Sequence, residues 1–202
     1  MNNILLDPLP DEWHGYKVNT WFQVGVQIYI IKYDNALANW ERTQLILELL
    51  FDDDDGELRE HPVGKELDEC ISWFLNGWYH DRPGKDKGQL RSMDFDIDQF
   101  RIYADFMQIY HIDLSDSEMH FWKFMGLLWN MPYKYSSFLQ AVNIRTREIK
   151  ANMSAEEKRA IADAQAVYAL DQPEKKKEYT KEQIKSIDSY DAKMAKARAK
   201  KG

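Results

Sequence analysis

The sequence predicts an all-α fold: a compact bundle of about six helices, followed by a basic, partly disordered C-terminal tail. Three observations lead there. Hydrophobic residues fill 44% of the 202 positions and aromatic residues 13%, enough apolar material to bury a core. Glycine and proline are scarce, at 9 and 6, too few turn-formers for a many-stranded sandwich. Apolar residues recur at helical spacing in successive stretches, several of them opened by an N-capping pattern.

Residues 1–18 read as an irregular lead-in containing Pro8, Pro10 and Gly15. Trp21 to Tyr33 is two-sided. Val24, Val26, Ile28 and Ile30 alternate as in a strand, whereas Trp21, Val24, Ile28 and Ile31 sit at helical spacing. Asn19 or Thr20 as a cap favours the helix. Trp40 to Phe51 is a clearer helix, with Leu45, Leu49, Ile46 and Leu50 on one broad stripe. Four carboxylates, Asp52 to Asp55, oppose the helix dipole and should end it in a solvated turn. They do not read as a calcium loop. With Gly56 at the sixth position, the first and twelfth would be Phe51 and Pro62.

Gly64 to Tyr79 places Leu67, Ile71, Phe74 and Trp78 on one helical face, and His80 to Ser92 follows as a polar linker. Asp94 or Asp96 is expected to cap a fourth helix whose face is Phe95, Ile102, Phe106 and Tyr110. Ser115 to Glu118 has the form of a capping box for a fifth helix. That helix is apolar nearly all round from Met119 to Trp129, with Lys123 its one charge, so it should be the centre of the fold. Pro132 ends it. Ser136 to Thr146 carries Phe138, Leu139, Val142 and Ile144, and the capping box Ser154-Ala155-Glu156-Glu157 opens a helix to about Ala169. Beyond Pro173, Thr180 to Gln183 can cap a last helix, but its stripe of Ile184, Ile187 and Met194 is too thin to fold alone. The organisation is thus a lead-in at 1–18, a helical domain at 19–170 and a tail at 171–202.

Charge separates tail from body. Residues 172–202 hold 10 of the 27 basic and 5 of the 34 acidic side chains, a net of +5, which leaves the body at −12. The body should repel nucleic acid, so nucleic-acid binding is not expected except through the tail. Met1 to Pro10 has no basic residue ahead of an apolar run, so no secretory signal is expected. The longest apolar stretch, Trp21 to Ile31, is interrupted by Gln23 and Gln27 and is too short for a bilayer, so no membrane partner is expected.

The chemistry of a reaction centre is missing from the pattern. The single cysteine, Cys70, lies in the apolar series of Leu67, Ile71 and Phe74 and reads as buried and inert. His14, His61, His80, His111 and His120 have no metal-ligand spacing, and no phosphate-binding glycine motif occurs, so neither a metal nor a cofactor is expected. Asp96 and Asp98 read as first-turn carboxylates facing the helix dipole rather than an acid–base pair. His120 and Lys123 read as the polar edge of a core helix or as a hook for a partner. Seven tryptophans exceed what a domain of this size easily buries, which suits a surface that binds an apolar helix. Trp78, Phe121 and Trp129 are the candidates for that surface.

A series of marks from Tyr16 to about Leu170 resembles one known family. They are Trp73-Phe74, Asp94-Phe95-Asp96 with Asp98, Ile102-Tyr103-Ala104 with Phe106, and Tyr110-His111-Ile112-Asp113-Leu114. They continue through His120-Phe121-Trp122-Lys123-Phe124 with Leu127, Ile144-Arg145-Thr146, Met153-Ser154 and Tyr168-Ala169-Leu170. The chain is similar to the bacteriophage "gene product fifteen" family of siphophages and prophages, taken to be tail assembly chaperones encoded next to the tape measure protein. It departs from the family pattern at Phe121, where a second tryptophan is usual, at Leu75-Asn76-Gly77-Trp78, and in the extension 171–202. The resemblance implies a non-enzymatic protein that keeps the tape measure protein soluble, with the tail tube protein and further copies of itself as possible partners. It implies action in the bacterial host cytoplasm and absence from the mature virion. A structural tail or virion component, or a nucleic-acid binder acting through the tail, are the alternatives.

Overall fold

The structure is a computed structural model that describes residues 3–52, 58–79 and 92–170. The acidic turn expected after Asp52, the linker after Tyr79 and the basic tail lie outside the described residues. The chain divides into two units, Met1–Gln172 and Pro173–Gly202, and every described residue belongs to the first.

Among the described residues, seven α-helices build this unit. They are α1 (Phe22–Tyr33), α2 (Asn39–Phe51), α3 (Lys65–Asn76), α4 (Gln99–Asp105), α5 (Phe121–Trp129), α6 (Ser137–Thr146) and α7 (Ala155–Tyr168). The α-helical fold class is therefore as the sequence predicts, and the strand alternative for Trp21 to Tyr33 falls away. The lead-in is more ordered than expected. Glu12–Trp13 (β1) and Tyr16–Lys17 (β2) form an antiparallel hairpin. Its two turn residues, His14 and Gly15, both have positive φ, as a tight two-residue hairpin turn requires. Trp13 is buried against the body and stacks on Tyr16.

α1 packs on α2 and α5, α4 on α6, and α6 on α7. α5 is the core, as its all-round apolarity predicts: Phe121, Trp122, Phe124, Met125 and Leu128 are all buried. The Phe124 ring meets Phe22 of α1 at 4.9 Å, Phe106 at 5.3 Å and Phe95 at 6.0 Å. The Phe121 ring lies 5.0 Å from Phe74 of α3 and directly over Gly25 of α1, where a Cβ would overlap it. Trp122 donates its indole N–H to Phe74 O at 2.8 Å, which ties α5 to α3.

Three helix starts differ from expectation, and at α4 the cap position is Asp98, not Asp94 or Asp96, because Asp94 is used in the turn before the helix. Ser115 and Glu118 do not open α5, because Ser115 is held in a local turn by Asp113, which accepts from both its N–H and its hydroxyl. The cap of α5 is His120, whose Nδ1 accepts from Trp122 N at 3.0 Å. Neither Asn19 nor Thr20 is the cap residue of α1. That place falls to Trp21, and Trp21 and His120 form an antiparallel bridge. Through it Phe22 N donates to Met119 O and Phe121 N to Thr20 O, so each helix's leading strand satisfies an orphan N–H of the other. The fourth helix is interrupted as well. After Asp105 it widens into a π-helical turn, Phe106–Tyr110, closed by His111 in the left-handed region. The cap of α7 follows the sequence reading, Ser154 and Glu157 forming a reciprocal box, while α6 is capped by Ser136, which accepts from Leu139 N.

Candidate protein-binding groove

α4 is fixed by charge at both ends. Asp98, at its N-terminus, is fully buried, and Arg145 of α6 grips its two carboxylate oxygens at 2.7 and 2.8 Å. Arg145 also donates to Tyr168 O at the end of α7 and to Ser92 O, so one guanidinium joins α4, α6 and α7. Arg101 adds a third contact to Asp98 at 3.0 Å and lies over the Tyr168 ring. At the other end, buried Asp105 accepts from Ser136 Oγ, Ser137 Oγ, Ser137 N and Phe138 N, which caps α6 from outside. The expectation that Asp98 simply faces the helix dipole misses this buried pairing. Asp94 serves the turn before α4, accepting from Asp96 N and Ile97 N, while Asp96 is exposed.

The helix so anchored turns its inner face, Ile102, to the core and its outer face to solvent. Phe100 is 80% exposed, and Ile97, Tyr103 and Met107 are exposed beside it. Phe100 and Tyr103 lie at i, i+3 on the exposed stripe of α4, with Ile97 in the turn before the helix and Met107 in the π-helical turn after it. Between α4, α1 and α5 runs a groove of about 380 Å³. Its apolar lining is Phe22 and Val26 of α1, Phe95 before α4, Phe100, Ile102 and Tyr103 of α4, Leu114, and Phe124 of α5. Gln99 and Ser115 are its polar members. Tyr103 is the one titratable lining residue. Its hydroxyl donates to Asp113, and that bond pushes the phenol above its ordinary range. Ser115 in turn holds the Asp113 carboxylate below the usual value. A groove with this lining offers mainly apolar contact.

The structure distributes the sequence-derived residues as follows. Phe121 is 0% exposed and forms part of the core, so it is no partner surface; its place in an aromatic-rich segment carries no information about direction. Trp78 and Trp129 are half-buried and pack against the core, Trp78 donating to Leu75 O and Trp129 meeting Phe138 edge-on. Among the motif residues, Phe95, Asp98, Phe106, Trp122 and Phe124 are buried, while Asp96, Tyr103 and Lys123 are exposed. His120 turns inward to the hairpin, its Nε2 2.9 Å from Pro10 O. With Nδ1 accepting from Trp122 N, the ring proton must sit on Nε2, where it bonds Pro10. Burial lowers the His120 pKa below its usual value near 6.5, which keeps this neutral tautomer. Phe100 is, with Phe22 and Gln99, a groove residue that sequence reasoning missed, and it is the more exposed of the two phenylalanines. The available signal was an aromatic two residues from Ile102, on the face opposite the apolar stripe.

No curated protein and no solved structure matches the chain. The sequence model of the bacteriophage Gp15 protein family matches residues 5–170. The chain belongs to that family.

Proposed function

We propose that this chain is a non-enzymatic tail assembly chaperone that holds the tape measure protein soluble while the phage tail is built. Membership of the phage family supports a structural or assembly role. The single observation that carries the finer reading is the groove beside α4: an exposed apolar stripe on a helix whose ends are locked by buried charge. Covering one phenylalanine as exposed as Phe100 is worth roughly 1.5–3 kcal/mol, so a solvent-facing stripe of this kind favours a helix laid along it. Among the described residues, no helix is long and apolar enough to cross a membrane. On this reading the chain acts in the bacterial host cytoplasm, the tail tube protein is a later partner, and the chain is absent from the finished particle.

The test is co-expression with the neighbouring tape measure protein, followed by pull-down and size exclusion. The tape measure protein should become soluble and co-elute with several copies of this chain, and Phe100→Asp should abolish both effects. An insoluble, unbound tape measure protein overturns the reading. Mass spectrometry of purified particles should find no stoichiometric amount of the chain; finding it there makes it a virion component instead.

A further inference from the structure

We infer that the α4 groove selects a partner helix that is apolar on one face and basic along its flanks; this rests on the reading of the groove as a helix-binding site. The argument is the charge around it. From Asp94 to Met119 the sequence holds seven carboxylates and one cation, Arg101. Asp98 and Asp105 are buried and spent on Arg145, Arg101 and the α6 cap. Arg101 is thereby committed to Asp98 rather than to the rim. Asp96 precedes the exposed stripe, and Asp113 and Asp116 flank Leu114 and Ser115 at the side of the groove. Among the described residues no salt bridge neutralises Asp96, Asp113 or Asp116. Asp113, held ionised by Ser115, keeps its charge well below neutral pH.

The stripe itself, Phe100 and Tyr103, lies on the seven-residue α4, about 10 Å long, which is close to two turns of a docked helix. A helix lying along it places the residues flanking its apolar face over the acidic rim. Lys or Arg there gains rim pairs, and Glu or Asp is repelled, so the rim sets specificity while the stripe supplies contact area.

The experiment uses the full chain and two synthetic helical peptides of about 20 residues. Both carry the same leucine stripe, one with lysine and one with glutamate at the flanking positions, and binding is read by fluorescence anisotropy. At low salt the lysine peptide should bind roughly tenfold more tightly, and the gap should close toward 1 M salt. Reversing the rim with Asp96→Lys and Asp116→Lys, both exposed and outside the core, should invert the order, and Phe100→Asp should weaken both peptides. Equal binding of the two peptides, or a lysine preference that survives the reversal, overturns the inference. If Phe100→Asp instead dissociates a dimer and neither peptide binds, the groove belongs to a second copy and the inference falls. A tape measure protein kept soluble without any peptide charge preference defeats the inference alone. A clear charge preference with an insoluble tape measure protein defeats the chaperone reading and leaves the groove's selectivity standing.

Discussion

Replacing Arg145 with methionine tests the mechanical core of this structure. The guanidinium makes two contacts to a carboxylate with no exposed surface and donates to Tyr168 O and Ser92 O. Methionine fills most of the volume but leaves Asp98 with Arg101 and the Asp94 N–H as its remaining partners. Breaking a buried pair from one side costs about 3–5 kcal/mol, and the surviving Arg101 contact places this case at the lower end, near 3 kcal/mol. For a domain of this size that corresponds to a drop of about 10 °C in Tm. Arg145→Lys should recover only part of the loss, because a single ammonium cannot span both oxygens and the Tyr168 carbonyl. Adding Asp98→Asn to Arg145→Met should cost less than the sum of the two single changes, with a coupling of about 1–3 kcal/mol. Urea unfolding followed by circular dichroism gives all four values. An Arg145→Met variant within about 0.5 kcal/mol of the parent, or strict additivity in the cycle, would falsify the clamp.

Three further outcomes are expected. Gly25→Ala puts a methyl into the Phe121 ring, so it should destabilise by about 1–3 kcal/mol despite alanine's better helix propensity. Gly126→Ala, in open space on α5, should stabilise by up to about 1 kcal/mol, and equal signs in thermal melts refute the packing at Gly25. His120 has its folded pKa lowered by burial, so its contribution to stability is complete above the usual value near 6.5 and is lost as pH falls from there toward the folded pKa. A Tm series between pH 5 and 8 should show that loss in the parent and less of it in His120→Asn, which keeps a capping oxygen but cannot titrate. Cys70 is fully buried and burial pushes its thiol up to about 11, so a thiol reagent at pH 8 should react only at the rate of unfolding. Rapid stoichiometric labelling of the native chain contradicts that burial.

Much of the fold was legible because it is local. α6 and α7 begin where serine meets its N3 partner, and α5 is central because nearly every side of it is apolar. The failures are tertiary. Ser115 has the right spacing to cap α5, but Asp113 takes its donors, and the helix starts six residues later where α1 and α5 exchange backbone bonds. The hairpin at Glu12–Lys17 was missed because His14-Gly15 is a weaker turn signal than Asn-Gly, and the buried Trp13 secures it. The site was half visible. The aromatic stretch from Asp94 to Leu128 contains the groove wall, and both Asp98 and Arg145 appear among the motif residues. What a one-dimensional pattern does not give is direction: Phe121 and Phe100 are the same side chain, and packing sends one into the core and the other into solvent.

On the proposed chaperone reading, that division of labour bears on how a client would be released. The charged groups near α4 that are buried are all satisfied internally, so the groove wall is stiff before anything binds, and docking need not order it. Only a handful of apolar side chains, chiefly Phe100, Tyr103, Met107 and Leu114, remain to be covered. At roughly 1.5–3 kcal/mol for each fully covered side chain, the gross gain is about 6–12 kcal/mol. Loss of translational and rotational freedom removes at least about 4 kcal/mol of that. The expected single-site affinity is therefore micromolar or weaker. Copies arrayed along a long client would together keep it covered, while each could still be removed one at a time by a growing tube. Isothermal titration of one tape measure segment into the full chain measures the single-site value. A nanomolar constant at physiological salt would contradict both the small contact area and the stepwise release it permits.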